Sequence, residues 1–349
     1  MKQQAFSTLE HCYMPGEWHC HRSTWMAWPH DSITFPDRIP QVERVFAEIV
    51  FHLHQAERID LIVLDASMQT RVEKILRSLG IDLLRVTFHC ADYADVWIRD
   101  WGPSFLLNQM TKKQDVCIKW QYNAYGNKFP DLLKDDRTFF SLHDASGQTM
   151  FDAGVIMEGG SFDVNGAGAL LTTGQCLLNP NRNPQLDQEQ IEKTVQTMTG
   201  SSHVIWLKNG IFNDHTDGHI DDVARFVDPR TIVMAETKDA SDPNYAVLQE
   251  NWRILKRAVD QDGQPFRLVA LPMPKMYYDD RQQAPASYAN FYIANQHVLV
   301  PQYDQPEDSL ALEILQSRFS DRKVVGIDCR DLIYGGGAIH CITQQQPEF

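Results

Sequence analysis

What most constrains this chain is a recurring rhythm: an amphipathic helix, then a short apolar strand. Val42, Val45, Phe46, Ile49, Val50 and Leu53 fall on one helical face, and the apolar strand RIDLIVLD (58–65) follows. A second helix near 68–79 leads to LLRVTFH (83–89), and a third around 185–199 leads to SSHVIWL (201–207). A fourth around 243–260 leads to PFRLVAL (265–271), and a fifth around 306–318 leads to RKVVGID (322–328). Hairpins lie between these units. FDVNGAGALLTT (162–173) places Asn165-Gly166 at its turn, where a tight hairpin needs positive φ. Val223 to Val227 with Thr231 to Met234, and FYIANQHVLV (291–300), make two further strand pairs. Five β-rich units with one helix each point to a closed, pseudo-symmetric α/β ring. A doubly wound sheet would instead alternate single strands with helices. No low-complexity tract, charge block or Pro/Ser linker divides the chain, so residues 1–349 are expected to form one domain.

Charge and composition narrow the partners. A formal net charge of -14 argues against nucleic acid, whose phosphates need clustered Lys and Arg. It is compatible with a small cationic substrate and equally with plain solubility. The longest apolar runs, such as LIVL from Leu61 to Leu64, are far too short to span a bilayer. The opening MKQQAFSTLEHCYMPGEW has no apolar core of a secretory signal, so none is expected. The seven cysteines (Cys12, Cys20, Cys90, Cys117, Cys176, Cys329 and Cys341) are odd in number and widely scattered. That spacing predicts free thiols in a reducing cytoplasm rather than a disulfide framework.

Three stretches concentrate polar residues just after predicted strands. ADYADVWIRDWGPSF (91–105) holds Asp92, Asp95, Arg99 and Asp100, with Trp97 and Trp101 among them. Read as a strand, Trp97, Arg99 and Trp101 share one face and Ile98 and Asp100 the other. A carboxylate beside tryptophan suits a bound cation, although an internal Arg–Asp pair with two core tryptophans fits the same residues. NDHTDGHIDD (213–222) places His215 and His219 four apart, a spacing that suits a metal on a helix. Gly218 and the Asp, Thr and Asn content disfavour a helix, and no Glu follows His215 as a zinc-protease motif demands. His219 reads better as a proton shuttle, with Asp221 on the same side of an extended chain. In IYGGGAIHCITQQQP (333–347), three glycines allow close approach of backbone to a ligand. Cys341 follows them beside His340, as either a nucleophile or a buried thiol. HCYMPGEWHCHR (11–22) also clusters Cys and His, but no second half of a zinc site matches it.

Together these segments carry a resemblance. MPGEWHCHRSTWMAWP (14–29), DVWIRDWGPSF (95–105), NAYGNKFP (123–130), MEGGSFDVNGAGALLTTGQCLLNPNRNP (157–184), DHTDGHIDDVARFV (214–227) and GGGAIHCITQQQP (335–347) resemble the agmatine deiminases. These belong to the bacterial-type peptidylarginine deiminase family of the guanidine-modifying pentein superfamily. The likeness covers nearly the whole chain in order. It implies a five-bladed pseudo-symmetric α/β propeller of ββαβ units and a cysteine-dependent hydrolysis without metal or organic cofactor. By that likeness Cys341 matches the nucleophile and His219 the general acid/base. Asp100 and Asp221 match the guanidinium-binding carboxylates, and Glu158 the acid that orients histidine or substrate. Trp97 is a further candidate for lining the site. The position four before His219, often acidic in relatives, is His215 here.

The chemistry expected of such a set is coherent. A guanidinium is planar, charged and a fork of donors, so Asp100 and Asp221 can hold it by charge-assisted bonds. Attack needs a thiolate, which a bound cation or a protonated His219 favours. Release of ammonia gives a thiouronium intermediate, and water then yields a ureido product. With agmatine that product is N-carbamoylputrescine. The alternatives are deimination of peptidylarginine or another arginine derivative, a metal-dependent hydrolase using His215 and His219, and a non-catalytic guanidine-binding protein. A homodimer is compatible with the sequence.

Overall fold

The computed structural model describes residues 9–146, 148–278 and 282–349. In chain order come β1 (Cys12–Tyr13), β2 (His21–Ala27), helix α1 (Ile39–Leu53), β3 (Arg58–Val63), α2 (Ala66–Ser78) and β4 (Val86–Cys90). Then follow β5 (Ser104–Asn108), β6 (Lys113–Gln121), α3 (Asp135–Ser146) and β7 (Thr149–Ile156). The next group is β8 (Phe162–Val164), β9 (Ala169–Thr173), α4 (Gln188–Thr199) and β10 (His203–Leu207). After it come β11 (Ala224–Asp228), β12 (Thr231–Glu236), α5 (Tyr245–Leu255) and β13 (Arg267–Pro272). The last are β14 (Tyr292–Ile293), β15 (His297–Gln302), α6 (Asp308–Gln316), β16 (Lys323–Asp328) and β17 (Gln344–Pro347).

These strands form five sheets among the described residues. Each sheet joins two antiparallel strands, then adds a parallel third through a helix, as a parallel crossover requires. The sheet that holds β2 completes this pattern only through β17, which pairs antiparallel with β2; β3 adds parallel to β2, and β4 parallel to β3. The fold is therefore mixed α/β.

Local chemistry explains most elements. On α1 the six apolar residues picked out by period all point inward and are buried. Asp65 caps α2 by accepting from the Met68 N–H, and Asp187 with Gln190 forms a capping box on α4. The β8–β9 turn differs in detail from expectation. Gly166 and Gly168 carry its positive φ values (68° and 122°), whereas Asn165 acts through its side chain, which accepts from Ala167 and Ala169 N–H.

Two departures from the sequence reading have physical causes. The first two helix–strand units both belong to one sheet, so they are not separate repeats. The missing unit is β5–β6–α3–β7, whose pattern is masked. Lys119 points into the fold, where its ammonium donates to Asp136 (2.9 Å), and α3 buries Phe139 and Leu142 behind an acidic first turn. The second departure is at 97–101. Ile98–Trp101 is one turn of helix, not a strand, closed by Gly102 N–H on Ile98 O (2.8 Å). Trp97, Arg99 and Trp101 consequently do not share a strand face.

The order of the elements decides where function can sit. Among the described residues the chain crosses from sheet to sheet at six junctions, and each carries polar residues named below: Glu17 after β1, Asp100 after β4, Glu158 after β7, His219 and Asp221 after β10, Asn290 after β13, and Cys341 after β16.

Candidate active site

Three of these junctions, those after β4, β10 and β16, line a cavity of about 220 Å³, whose lining includes Trp97, Asp100, Tyr125, Gly335, Gly336, Gly337 and Cys341. Gly160, from the junction after β7, packs against Asp100 of that lining. A Cβ on Gly160 would lie 2.7 Å from His219 Nδ1 and 2.9 Å from both Asp100 Oδ1 and Asp221 Oδ2. Three polar groups thus converge on a space that only glycine leaves open.

Asp100 is fixed from two sides. Its Oδ1 accepts from Gly160 N–H (2.9 Å) and its Oδ2 from the Tyr125 hydroxyl (2.8 Å). Tyr125 reaches it from a turn in which Ala124, Tyr125, Gly126 and Asn127 all hold positive φ. Burial pushes the Asp100 carboxyl up to about 6, with Asp221 and Glu158 adding to the rise and His219 opposing it. The next-door Arg99 turns away and stitches the nucleophile segment to this turn: its backbone N–H donates to Cys341 O (3.2 Å) and its Nε to His340 O (3.2 Å).

His219 lies at the start of a 3-10 turn, Ile220–Asp222, so the chain here is coiled rather than extended, yet His219 and Asp221 both face the floor. Its Nδ1 is 3.7 Å from Asp100 Oδ1 and its Nε2 3.8 Å from Glu158 Oε2. These are ion-pair distances, and neither buried ring nitrogen has a hydrogen-bond partner. Burial alone would depress this imidazole, but Asp100, Cys176 and Glu158 outweigh it and hold the ring well above the usual histidine range.

Glu158 is anchored by Arg182, whose Nε donates to Oε1 at 2.8 Å with both side chains fully buried. Burial favours the neutral acid, but Arg182 and then His219 bring the carboxyl below its ordinary value. Removing one partner of such a pair costs about 3–5 kcal/mol. Asp221 Oδ2 sits 2.7 Å from His340 Nδ1 and 3.9 Å from Cys341 Sγ, while its buried Oδ1 has no partner. Burial again raises this carboxyl, and His340, His219 and Arg225 together overcome it and lower it.

Cys341 Sγ accepts a contact from Asn290 Nδ2 at 3.2 Å. Burial, followed by the nearby Asp221, Asp222 and Asp100, pushes its thiol well above the ordinary range. The glycines ahead of it are dictated by Trp97, which forms the wall. A Cβ on Gly337 would come within 2.7 Å of the Trp97 ring and 3.0 Å of Cys341 Sγ, and Gly336 holds φ at 96°. Trp97 is itself held by its Nε1–H on Asp95 Oδ2 (2.7 Å).

A family model for the Porphyromonas-type peptidyl-arginine deiminases matches residues 13–347. The chain belongs to that family. A Legionella pneumophila (strain Paris) protein, provisionally named agmatine deiminase, is 36% identical over 338 residues, covering 96% of this chain and 95% of its own. The solved agmatine deiminase of Enterococcus faecalis is 31% identical with a TM-score of 0.90, over 98% of this chain and 97% of that one. A C. jejuni agmatine deiminase solved with substrate bound is 29% identical with a TM-score of 0.84, over 96% of each chain.

In this member of the peptidyl-arginine deiminase family, three of the six residues singled out from sequence, Trp97, Asp100 and Cys341, line the cavity; His219 lies 3.7 Å from Asp100, Asp221 3.9 Å from Cys341, and Glu158 3.8 Å from His219. His215 and His219 do not share a helical face; they flank a turn in which Asp217 and Gly218 have φ of 70° and 93°. His215 lines the cavity instead. The metal-capable group among the described residues is Glu158, Cys176 and His219, whose ligand atoms lie within 4.8 Å of one another. The Cys/His cluster at 11–22 disperses: Cys20 faces Glu348 (3.6 Å), and His21 Nε2 lies against Glu17 O (2.7 Å). None of the seven cysteines is joined in a disulfide.

Sequence reasoning missed Tyr125, Cys176, Arg182, Asn290 and Glu17. The glycine and asparagines of NAYGN signalled the left-handed turn that delivers Tyr125. Nothing local signals Asn290 or Glu17, because their partners lie 51 and 323 residues away, at Cys341 and His340.

Proposed function

We propose that this chain hydrolyses agmatine to N-carbamoylputrescine and ammonia, as a single catalytic domain in which the five sheets are blades of a pseudo-symmetric ring. Cytoplasmic residence fits cysteines that form no disulfide, and among the described residues no helix is long and apolar enough to cross a membrane. The observation that carries this reading is the arrangement around Gly160: two carboxylates and an imidazole meet at one point beside a thiol. A planar cation with a fork of donors fits that point.

The electrostatics suggest an order of events. In the empty site Cys341 is a thiol and His219 is protonated, because their neighbours raise both groups. The carboxylates that raise the thiol, Asp221 and Asp100, are the ones a guanidinium would neutralise. Binding the cation therefore removes what opposes the thiolate, and the thiol proton leaves to solvent. The thiolate then adds to the guanidinium carbon. Protonated His219 gives its proton to the departing nitrogen, the C–N bond breaks, and ammonia leaves a thiouronium on Cys341. Neutral His219 next takes a proton from water as the hydroxyl adds to that carbon. Collapse breaks the C–S bond, and the hydroxyl proton passes to the departing sulfur, which returns Cys341 to the thiol, frees the neutral ureido product and leaves His219 as imidazolium. Glu158, fixed by Arg182, stabilises the imidazolium.

Agmatine is favoured over arginine by the lining. Among the described residues its lining has no Arg or Lys, and the nearby Lys128 is engaged by His215 O and Asp217, so a substrate carboxylate would find no free cation there. The test is ammonia release from agmatine, arginine and a blocked arginine peptide. Agmatine should be turned over with the highest kcat/KM, and a higher value for either rival removes this reading.

A further inference from the structure

Behind the floor lies a buried charge network that the chemistry above does not use. His340 stands at its centre, next to the nucleophile. Its Nδ1 is 2.7 Å from Asp221 Oδ2 and its Nε2 is 2.9 Å from Glu17 Oε2. Both carboxylates and the ring are almost fully buried, at 0%, 4% and 2% exposure. A neutral imidazole has one N–H, so one of these contacts would set a lone pair against a carboxylate oxygen. We propose that His340 is a positioning residue: its ring carries protons on both nitrogens, donates to Asp221 and Glu17, and so keeps Asp221 ionised and aimed at the substrate.

The surroundings account for the need. Asp221 shares its dry environment with Asp100 and Asp222, whose negative charges disfavour another there. His219 and Arg225 favour it, but His340 makes the closest contact. Glu17 in turn steadies the ring from the other side. It lies within ion-pair reach of Arg225 Nη2 (3.0 Å) and Arg99 Nη2 (3.4 Å), and its Oε1 accepts from Ile293 N–H (2.8 Å). His340 meets Asp221 at Oδ2, the oxygen that also lies toward Gly160 and Cys341 Sγ, so it fixes the carboxylate at the point where a guanidinium would sit. Glu17 comes from the segment before β2, Asp221 from after β10 and His340 from after β16, so one imidazole ties three junctions together.

The inference rests on Asp221 as a substrate ligand, and its test separates the two. His340→Asn removes the cation beside Asp221, whose carboxyl should then protonate near neutral pH. The wild-type-to-variant ratio of kcat/KM should be roughly a hundredfold at pH 6 and shrink to about tenfold or less at pH 9. Glu17→Gln, which keeps an acceptor for the ring, should change the ratio in the same direction by severalfold, and serves if the first variant does not fold. Ratios that stay constant across pH, as a purely structural role gives, overturn the proposal. Independently of any substrate, 15N-histidine spectra of the unmodified protein at pH 7.5 should contain a doubly protonated ring that is absent from the His340→Asn spectrum and shifted in the Glu17→Gln spectrum. A singly protonated ring at that position overturns it as well. Absence of agmatine turnover in the unmodified protein would instead count against the proposed function.

Discussion

At the floor of the cavity the polar groups are enclosed. Asp100 is 2% exposed, His219 1% and Asp221 0%; Asp100 is held by Gly160 N–H and Asp221 by His340, each from another junction, and the His219 backbone by Asp214. At the mouth, Ile33 is 74% exposed and Phe129 38%, and His215 is exposed with its ring against Phe129 at 6.2 Å between centroids. The floor spends no reorganisation when a guanidinium arrives, because its carboxylates are already placed for one. The mouth offers apolar and aromatic surface that tolerates different far ends. The contrast teaches that the reacting group is specified by rigid electrostatics, and the rest of the substrate by weaker contacts.

Changes at the floor should therefore be severe. Cys341→Ala should cut ammonia release from agmatine by at least about ten-thousandfold while agmatine still binds in calorimetry. Near-normal release would take Cys341 out of the nucleophile role. Asp100→Asn and Asp221→Asn should each lower kcat/KM by roughly a hundredfold to a thousandfold, since each leaves a buried cation short of one charge. The Asp100 carboxyl, pushed up to about 6 by burial, also sets the acid side of the pH profile. Above that value it is ionised and can hold the cation; as pH falls through about 6 it becomes neutral, so kcat/KM should drop. An acid limb that persists unmoved in Asp100→Asn would assign it to another group.

A subtler floor variant is Tyr125→Phe. The phenol donates to Asp100 Oδ2 at 2.8 Å, and a donor to the charged form favours that form. Its loss should reduce kcat/KM by roughly tenfold near neutrality and move the acid limb to higher pH. A limb that moves to lower pH would mean that Tyr125 does not act through Asp100.

The same contrast explains what could be read from sequence. The ββαβ rhythm was legible where helices have clean apolar faces, as in α1, and illegible in the β5–β6–α3–β7 unit, whose strand buries Lys119. Cys341, His219, Asp100, Asp221 and Trp97 stood out as candidates because each sits in a short run of glycine, acid or aromatic residues, whereas Glu158 was reached only through the family likeness. Periodicity misplaced Trp97 to Trp101 on a strand, since a single helical turn has no period to detect. The partners that tune those residues, Glu17, Asn290, Arg182 and Tyr125, are single side chains brought in by tertiary folding. No local pattern carries that information, because the contacts span from 24 residues for Arg182–Glu158 to 323 for His340–Glu17.

The mouth should respond mildly, and in binding rather than in chemistry. His215 lines the cavity, while its backbone carbonyl accepts from Lys128 Nζ at 2.8 Å. His215→Asp would bring a carboxylate to the place where the amine of agmatine should emerge, in water and near that lysine. An exposed pair of this kind contributes only about 0.2–1 kcal/mol, and Lys128 competes for the new charge. KM for agmatine should therefore fall by about twofold to fivefold with kcat unchanged, and the gain should fade as salt is added. Arginine, whose carboxylate would meet the new aspartate, should become a poorer substrate by a similar factor. A change in kcat as large as those expected at the floor would mean that the mouth also positions the reacting carbon, and the division between the two regions would not stand.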